Sequence, residues 1–351
     1  MRITLSKLTL SICVVLLVTA SFPQSVPLPS TGSSGITFTK VDVPGATATA
    51  PTGINNSGTI VGQFADSSGV FHGFLADKEG AVTATIDFPG AAQTEPSGIN
   101  EKGDVVGSYA NDDGIFHGFI LQDGNFITSD VPGSIATFPF DINDQGVVAG
   151  GYVDAEFFTH GFTLDQTGFH TVDNPAQGSV LTTELFAINS RGDSLGDFAP
   201  DAFGIFHGAF LLSHGEFVPF TVPQATRGLF AFGLNDSGEV AGSFLGDDFV
   251  QHGFLEDNGA VISFDFPGAL ATAPIQMNAS RHIVGIYADQ AVNTRGFLIT
   301  FDGQRGTNTA AAPASPVLTP PVTADQVTVC GSVQATSQNN IVAGQKLICH
   351  Q

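Results

Sequence analysis

A chain of 351 residues with 42% hydrophobic residues can bury a sizeable core, which excludes disorder throughout its length. Its 33 acidic residues outweigh 11 basic ones. At a net charge of -22 it lacks the Lys and Arg that displace counterions from phosphate backbones or anionic lipid, so nucleic-acid binding is excluded. With 42 Gly, 31 Phe, no Trp and only 13% charged residues, the composition predicts many short strands joined by tight turns.

The chain begins MRITLSKLTLSICVVLLVTA, with Arg2 and Lys7 ahead of an apolar run from Leu8 to Ala20 and with Val18 and Ala20 spaced for cleavage. Residues 1–20 therefore read as a secretory signal peptide. The run is shorter than the ~20 apolar residues of a membrane span, and Cys13 lacks the preceding small residue of a lipoprotein signal. A secreted or periplasmic product with no membrane span is expected. Residues 21–35 form a polar lead-in rich in Pro, Ser and Gly.

From 36 to 303 one unit recurs six times: an apolar strand ending Asp-Val/Phe-Pro-Gly, an Ile-Asn followed by a turn glycine and Val-Val-Gly, then His-Gly-Phe. Asn55, Asn100, Asn143, Asn189, Asn235 and Asn278 mark it at spacings of 45, 43, 46, 46 and 43. A second marker, His72, His117, His160, His207 and His252 followed by Arg295, keeps a matching period, with one residue inserted after His207. A third is Asp42, Asp87, Asp130, Asp173 and Asp265, interrupted by Thr221 in the fifth unit.

Within the second unit, TATIDF (83–88), SGIN (97–100), DVVGSY (104–109) and IFHGFIL (115–121) read as four short strands. NEKG and its counterparts place Gly where a hairpin turn requires a positive φ, so the second and third strands form a tight hairpin. No ten-residue stretch of the repeats carries a 3.6-residue period, which leaves them all β. Four strands in about 45 residues is the size of a propeller blade, and six blades close a ring around a central channel. Each blade then packs between two neighbours, which suits the near-continuous apolar run of IFHGFIL. The expected fold is an all-β, six-bladed β-propeller of four-stranded blades. A parallel β-helix is the competitor, but its rungs are shorter and lack the tight antiparallel hairpin.

These residues resemble the extracellular repeat family of HAF type, named for a His-Ala-Phe core. The match lies in His-Gly-Phe at 72–74, 117–119, 160–162 and 252–254, in His207-Gly208-Ala209-Phe210, in the Ile-Asn turn and in Asp-Val-Pro-Gly-Ala at 42–46. It covers 36–303. The resemblance implies a secreted or surface bacterial protein with a propeller fold, and it brings no catalytic residues. Some relatives carry a C-terminal sorting tail, whereas this chain ends KLICHQ, which favours a soluble or periplasmic product.

Residues 304–324 read as an Ala/Thr/Pro linker, and 325–351 as a short C-terminal segment. In an oxidising compartment the pair Cys330 and Cys349 predicts one disulfide, worth about 3 kcal/mol locally. QATSQNNIVAG (334–344) aligns weakly with QMNASRHIVGI (276–286), so the segment is either half of a decayed seventh unit or a small hairpin covering one blade.

Five histidines at equivalent positions invite a ring of metal ligands, but equivalent groups on separate blades stand too far apart for the ~2 Å bonds of zinc. A structural role is expected instead, with each histidine on the outermost strand of its unit and hydrogen-bonded to a repeated Asp or Asn. If the partner is the aspartate of the preceding blade, Thr221 and Arg295 mark one interface. Arg281, which replaces the turn glycine of the sixth unit, lies about 20 Å of strand from Arg295, so Arg281, His282 and Arg295 read as a degenerate closing blade rather than an anion site.

The first and third loops of each unit share one face and gather Asp66, Glu95, Asp112, Asp113, Asp154, Glu156, Asp201, Asp247, Asp248 and Asp289. No cofactor is expected; calcium is the one such a face would attract, although no loop has EF-hand alternation. There is no recurring nucleophile and base, no Gly-Xaa-Ser-Xaa-Gly elbow and no zinc signature. The expected function is a binding or interaction scaffold, with an extracellular or periplasmic protein or glycan on the loop-rich face. The alternatives are a secreted polysaccharide lyase or hydrolase with dispersed acidic residues, and a structural envelope protein.

Overall fold

The computed structural model describes residues 35–176, 182–199 and 208–301. The signal peptide, the lead-in before Gly35, the linker, the C-terminal segment with Cys330 and Cys349, and His207 lie outside the described residues. The described residues form six four-stranded antiparallel sheets.

After β1 (Ile36–Val41), blade 1 is β2 (Ala48–Ile54), β3 (Ile60–Ala65), β4 (Phe71–Ala76) and β5 (Val82–Ile86). Blade 2 is β6 (Gln93–Ile99), β7 (Val105–Ala110), β8 (Phe116–Gln122) and β9 (Asn125–Thr128). Blade 3 is β10 (Ala136–Ile142), β11 (Val148–Val153), β12 (Thr159–Asp165) and β13 (Gly168–Val172). Blade 4 is β14 (Thr183–Ile188), β15 (Ser194–Phe198), β16 (Gly208–Ser213) and β17 (Glu216–Pro219). Blade 5 is β18 (Gly228–Leu234), β19 (Val240–Leu245), β20 (Gln251–Asp257) and β21 (Ala260–Phe264). Blade 6 is β22 (Ala271–Met277), β23 (Ile283–Ala288) and β24 (Thr294–Phe301), completed by β1, which pairs antiparallel with β24 from Ile36 opposite Phe301 to Val41 opposite Gly296. The second strand of each blade packs on the first strand of the next, and β23 packs on β2, so the ring of six blades is closed.

This arrangement corrects the phase of the unit. The strand ending Asp-Val/Phe-Pro-Gly is the outermost strand of the preceding blade, and the Ile-Asn strand is the innermost. Periodicity sets the spacing of a repeat but leaves its phase open; the lone strand β1 ahead of blade 1 decides it. His72, His117, His160 and His252 consequently lie on the third strands of their sheets and not on the outermost.

Two motifs interlock to make the core. Gly62, Gly107, Gly150, Gly196, Gly242 and Gly285 of the second strands stand opposite Phe74, Phe119, Phe162, Phe210, Phe254 and Phe297 of the third. These six Phe are at most 1% exposed and are the largest wholly buried side chains. The glycines have no room for more: a Cβ on Gly62 would lie 2.4 Å from the Ala50 carbonyl oxygen and 2.7 Å from the Phe74 ring. Burial fades outward, from β7, buried throughout, to β9, where only Phe126 is partly covered.

The repeated asparagines close a second circle inside the first. Asn55 Nδ2 donates to the Asn100 carbonyl, Asn100 to Asn143, Asn143 to Asn189, Asn189 to Asn235, Asn235 to Asn278 and Asn278 back to Asn55, at 3.0–3.4 Å. Each Oδ1 also accepts the backbone N–H four residues on, fixing its own hairpin turn at 2.8–3.1 Å. One buried amide thus holds a turn and the neighbouring blade at once, which explains why a side chain with both a donor and an acceptor is needed there.

Candidate binding site on the loop face

The first strands run outward-facing loop to tight turn, so the connections between second and third strands, and those between blades, share one end of the channel. Near that end sit the histidines. His72 Nδ1 lies 2.8 Å from Asp87, His117 Nδ1 2.8 Å from Asp130, His160 Nδ1 2.9 Å from Asp173 and His252 Nδ1 2.9 Å from Asp265. Each partner follows the outermost strand of the same blade. The pairing therefore stays within one sheet and does not reach the aspartate of the preceding blade. Nε2 of His160 and of His252 reaches a second carboxylate, Asp154 at 3.2 Å and Asp248 at 3.0 Å. Aromatic neighbours Phe64, Tyr109, Tyr152 and Phe244 lie against the four rings, with centroids 5.0–5.4 Å away. The hydrogen bond to Asp265 pushes His252 up to about 9; at His160 burial works against the charged form, but the bonds to Asp173 and Asp154 outweigh it and its pKa is raised.

Blade 4 breaks the pattern on both sides. Its extra residue places Ala209 opposite Asp197 and Gly208 opposite Phe198, so Gly208 rather than His207 holds the histidine register. Thr221 stands where that blade's aspartate would be. Arg295, opposite Tyr287, belongs to blade 6, where its Nε is 3.4 Å from Asp289. Thr221 and Arg295 thus mark two separate blades, not one interface. Arg281 is not joined to Arg295 either: it ion-pairs with Glu239 and Asp257 of blade 5.

The channel itself is lined by residues that do not repeat. Every first strand carries a one-residue bulge. The bulge residues are Thr52, Ser97, Phe140, Phe186, Phe232 and Ile275, and all six line one small pocket. Phe140 and Phe186 have centroids 5.4 Å apart, and Phe186 and Phe232 5.0 Å, forming a continuous aromatic wall over blades 3 to 5. Thr52 and Ser97 form the opposite wall, and their hydroxyls donate to the Pro96 and Pro139 carbonyls at 2.9 and 2.6 Å. Two residues nearer the loop face the first strands carry Ala50, Glu95, Phe138, Glu184, Phe230 and Ala273, of which Ala273 lines the pocket while Phe138 packs on Phe116 of the neighbouring blade. Glu95, expected in a loop, lies within β6 and is pushed up to about 7 by burial.

Below the bulge a hydrogen bond crosses the ring. Gln276 Nε2 of blade 6 donates to Asp141 Oδ2 of blade 3 at 3.0 Å, joining opposite blades. Asp141 also accepts the Ile188 N–H at 3.0 Å and the Ile142 N–H at 2.9 Å. The other four blades carry Gly53, Gly98, Ala187 and Gly233 at this level, which leaves space for the two long side chains; a Cβ on Gly98 would come within 3.0 Å of Asp141 Oδ1. The cross-bond separates the loop-side pocket from a more polar one bounded by the asparagine circle. Among the described residues no group of three or more His, Cys, Asp or Glu is arranged to hold a metal ion, and no helix is long and apolar enough to cross a membrane.

Around the pocket the turns joining second to third strands share one geometry. Gly69 and Gly114 take a left-handed φ of 83° and 75° in blades 1 and 2. The same place is held by Phe157 in blade 3, Phe249 in blade 5 and Val292 in blade 6, with φ of 67°, 62° and 64°. The three are exposed at 72%, 48% and 52%. Arg227 lies over the Phe249 ring, 4.0 Å from its centroid. The corresponding turn of blade 4 lies outside the described residues.

Sequence reasoning missed both features, the pocket wall and the rim. The signal was available in the columns of the six aligned units where chemistry changes from blade to blade: Thr, Ser, Phe, Phe, Phe, Ile at the bulge, and Gly against Phe or Val at the turn tip.

No family model matches this chain, and no curated protein sequence does. Among solved structures it is similar to the β-propeller domain of the Trilobed protease from Pyrococcus furiosus, with 9% identity and a TM-score of 0.47 over 73% of this chain and 96% of that one. It is also similar to the fucose-specific lectin from Aleuria aurantia, with 11% identity and a TM-score of 0.46 over 76% and 99%. A third is TolB from Acinetobacter baumannii, with 11% identity and a TM-score of 0.45 over 71% and 65%. The blade count rests on the strand pairing of the chain itself.

Proposed function

We propose that this propeller is a secreted or periplasmic binding scaffold whose loop face receives an extracellular protein or glycan. The observation that carries the reading is the rim of Phe157, Phe249 and Val292. A side chain in the left-handed region costs about 1–2 kcal/mol where glycine costs almost nothing, and an exposed apolar side chain recovers none of that from the core. Blades 1 and 2 build the same turn with glycine, so the turn does not require the larger residues. Their retention on one side of the face fits contact with a partner.

Asp141 in the channel accepts from three donors of the ring itself, which suits a brace between blades.

The test is a variant carrying Phe157→Gly, Phe249→Gly and Val292→Gly, compared with the wild type on a glycan array and against a displayed-peptide library. The variant is expected to melt a few degrees higher, because strain is relieved, and to lose ligands that the wild type retains. Ligands held equally by both proteins would place binding elsewhere and overturn the reading.

A further inference from the structure

We propose that a cation on the third strand locks the turn that carries each apolar rim residue, and that in blades 3 and 5 the lock opens when a histidine loses one proton, so that the rim is switched by pH. The proposal rests on the rim as the binding surface and adds its regulation.

Each lock is built around one carboxylate. Asp154 Oδ1 accepts the N–H groups of Glu156 and Phe158, both at 2.9 Å, on either side of Phe157, while its Oδ2 lies 3.2 Å from His160 Nε2. Asp289 Oδ1 accepts in the same way from Ala291 and Asn293, both at 2.9 Å, on either side of Val292, and its Oδ2 lies 3.4 Å from Arg295 Nε. In blade 5 Gly246 stands where those turns have aspartate, and the acid sits two residues further on. Asp248 Oδ1 accepts the Val250 N–H at 3.1 Å, next to Phe249, and its Oδ2 lies 3.0 Å from His252 Nε2. Two different positions in the turn thus deliver a carboxylate to the same ring nitrogen.

Blades 1 and 2, whose tips are glycine, lack the lock. The second oxygen of Asp66 takes the Ser68 hydroxyl at 3.0 Å and stays 3.7 Å from His72 Nε2, and the turn of blade 2 begins with Asn111. Among the described turns the lock therefore accompanies a left-handed Phe or Val and is absent where glycine adopts the same φ without strain.

In His160 and His252 both ring nitrogens face carboxylates, which only accept when ionised, so both carry hydrogen and the rings are imidazolium. Burial works against charge on Asp154 and Asp248, but the bonds from Phe158 and Val250 and from the two histidines outweigh it and hold both acids below the ordinary value. The other groups against the rings are Tyr152, whose hydroxyl meets Thr171, and the uncharged ring of Phe244. Once the ring is neutral, one nitrogen turns a lone pair toward its carboxylate. The shorter contacts, to Asp173 and Asp265 at 2.9 Å, are kept, and the turn is released. Since both histidines are raised, His252 to about 9, the lock is complete below the ordinary value near 6.5 and is lost as pH climbs through the raised one. Arg295 stays charged throughout and keeps blade 6 locked.

Proteinase K, active from pH 6 to 10, reads the opening of the turns in the full chain without a ligand. Each cut is mapped by mass spectrometry and its rate divided by that in an unstructured peptide of the same sequence. Cutting beside Phe157 and Phe249 is expected to rise about tenfold between pH 6 and 10, as a charge-assisted bond is lost, and cutting beside Val292 to stay level. His160→Arg with His252→Arg is expected to be cut as slowly at pH 10 as at pH 6, and Asp154→Asn with Asp248→Asn to be cut fast at both. Nitrogen-15 NMR is expected to show both rings predominantly as imidazolium at pH 7. A predominantly neutral ring at either position at pH 7, a pH-independent rate beside Phe157 and Phe249, an equal rise beside Val292, or a rise that persists in the folded arginine variant would overturn the proposal. None of these readouts uses a rim ligand, so they can hold while the glycine comparison fails, and fail while it succeeds.

Discussion

At Asp141 three donors converge on one carboxylate that is buried in the middle of the ring. Burial pushes its carboxyl up to about 7, against the pull of the bonds from Ile188, Ile142 and Gln276. The folded state therefore holds its proton more firmly than the unfolded chain, whose Asp titrates near 3.9. By linkage, this group's contribution to stability falls as pH rises from about 4 to 7, and the penalty is complete above that. Asp141→Asn turns one acceptor into a donor facing the Ile188 or Ile142 N–H, at a cost of about 1–3 kcal/mol. Because the amide does not titrate, the gap between wild type and Asp141→Asn is expected to be widest near pH 5 and to narrow toward pH 8. Urea unfolding at the two pH values measures this, and a constant gap would show that the carboxylate does not titrate between them.

At the scale of the strand, the glycine of His-Gly-Phe acts between blades. A Cβ on Gly118 would lie 2.4 Å from the Ser129 carbonyl oxygen and 2.9 Å from the ring of Pro139 on the next blade. Gly73 faces Pro96 and Gly296 faces Pro51 in the same way. Blade 4 is the exception that explains the rule: it has Ala209 at this place, and blade 5 answers with Ala231 where four other blades have proline before the bulge, both within one apolar cluster. Gly118→Ala is expected to cost about 1–3 kcal/mol by overpacking, and Pro139→Ala in the same chain to recover part of it. A double-mutant cycle by urea unfolding reads the coupling; strictly additive losses would mean that the two residues do not share that space.

The same comparison shows what could be read without coordinates. Two markers with one period were enough for the blade count, because a closed ring forces each unit to bury the same two faces. Which strand lies innermost was not legible, since a circular repeat has no beginning until β1 supplies one. The histidines were visible but were assigned to the wrong strand, and their aspartates to the wrong blade, for that reason. The throat of the channel was hidden because it is made of the column that does not repeat.

At the scale of the molecule, the titrating groups pull stability toward mildly acidic pH. His252, raised to about 9, contributes fully below its unfolded value near 6.5 and loses that contribution as pH rises through 9. Glu95 and Asp141, both raised to about 7, add losses between about 4 and 7. In the other direction Asp289, lowered to about 2 by its bonds from Asn293, and Asp165, lowered to about 2 by Thr167, contribute above the unfolded value and lose that as pH falls. The repulsion implied by a net charge of -22 at pH 7 also grows as carboxylates ionise. The melting temperature is therefore expected to peak between about pH 4 and 6.5 and to decline toward pH 9. Scanning calorimetry from pH 2 to 10 tests this; a maximum above pH 8 would contradict the assignment.

The pairing of β1 with β24 also makes closure a check on completeness. The five blades from 48 to 264 contain all their own strands, but the sixth needs residues from both sides of them. A polypeptide cut short before β22 keeps β1 without its partner and two blade faces without neighbours. Such a fragment carries a free strand on one side and an open stack on the other, and a second copy can satisfy both. Full-length synthesis is thus what separates a sealed ring from a chain that joins to its own kind.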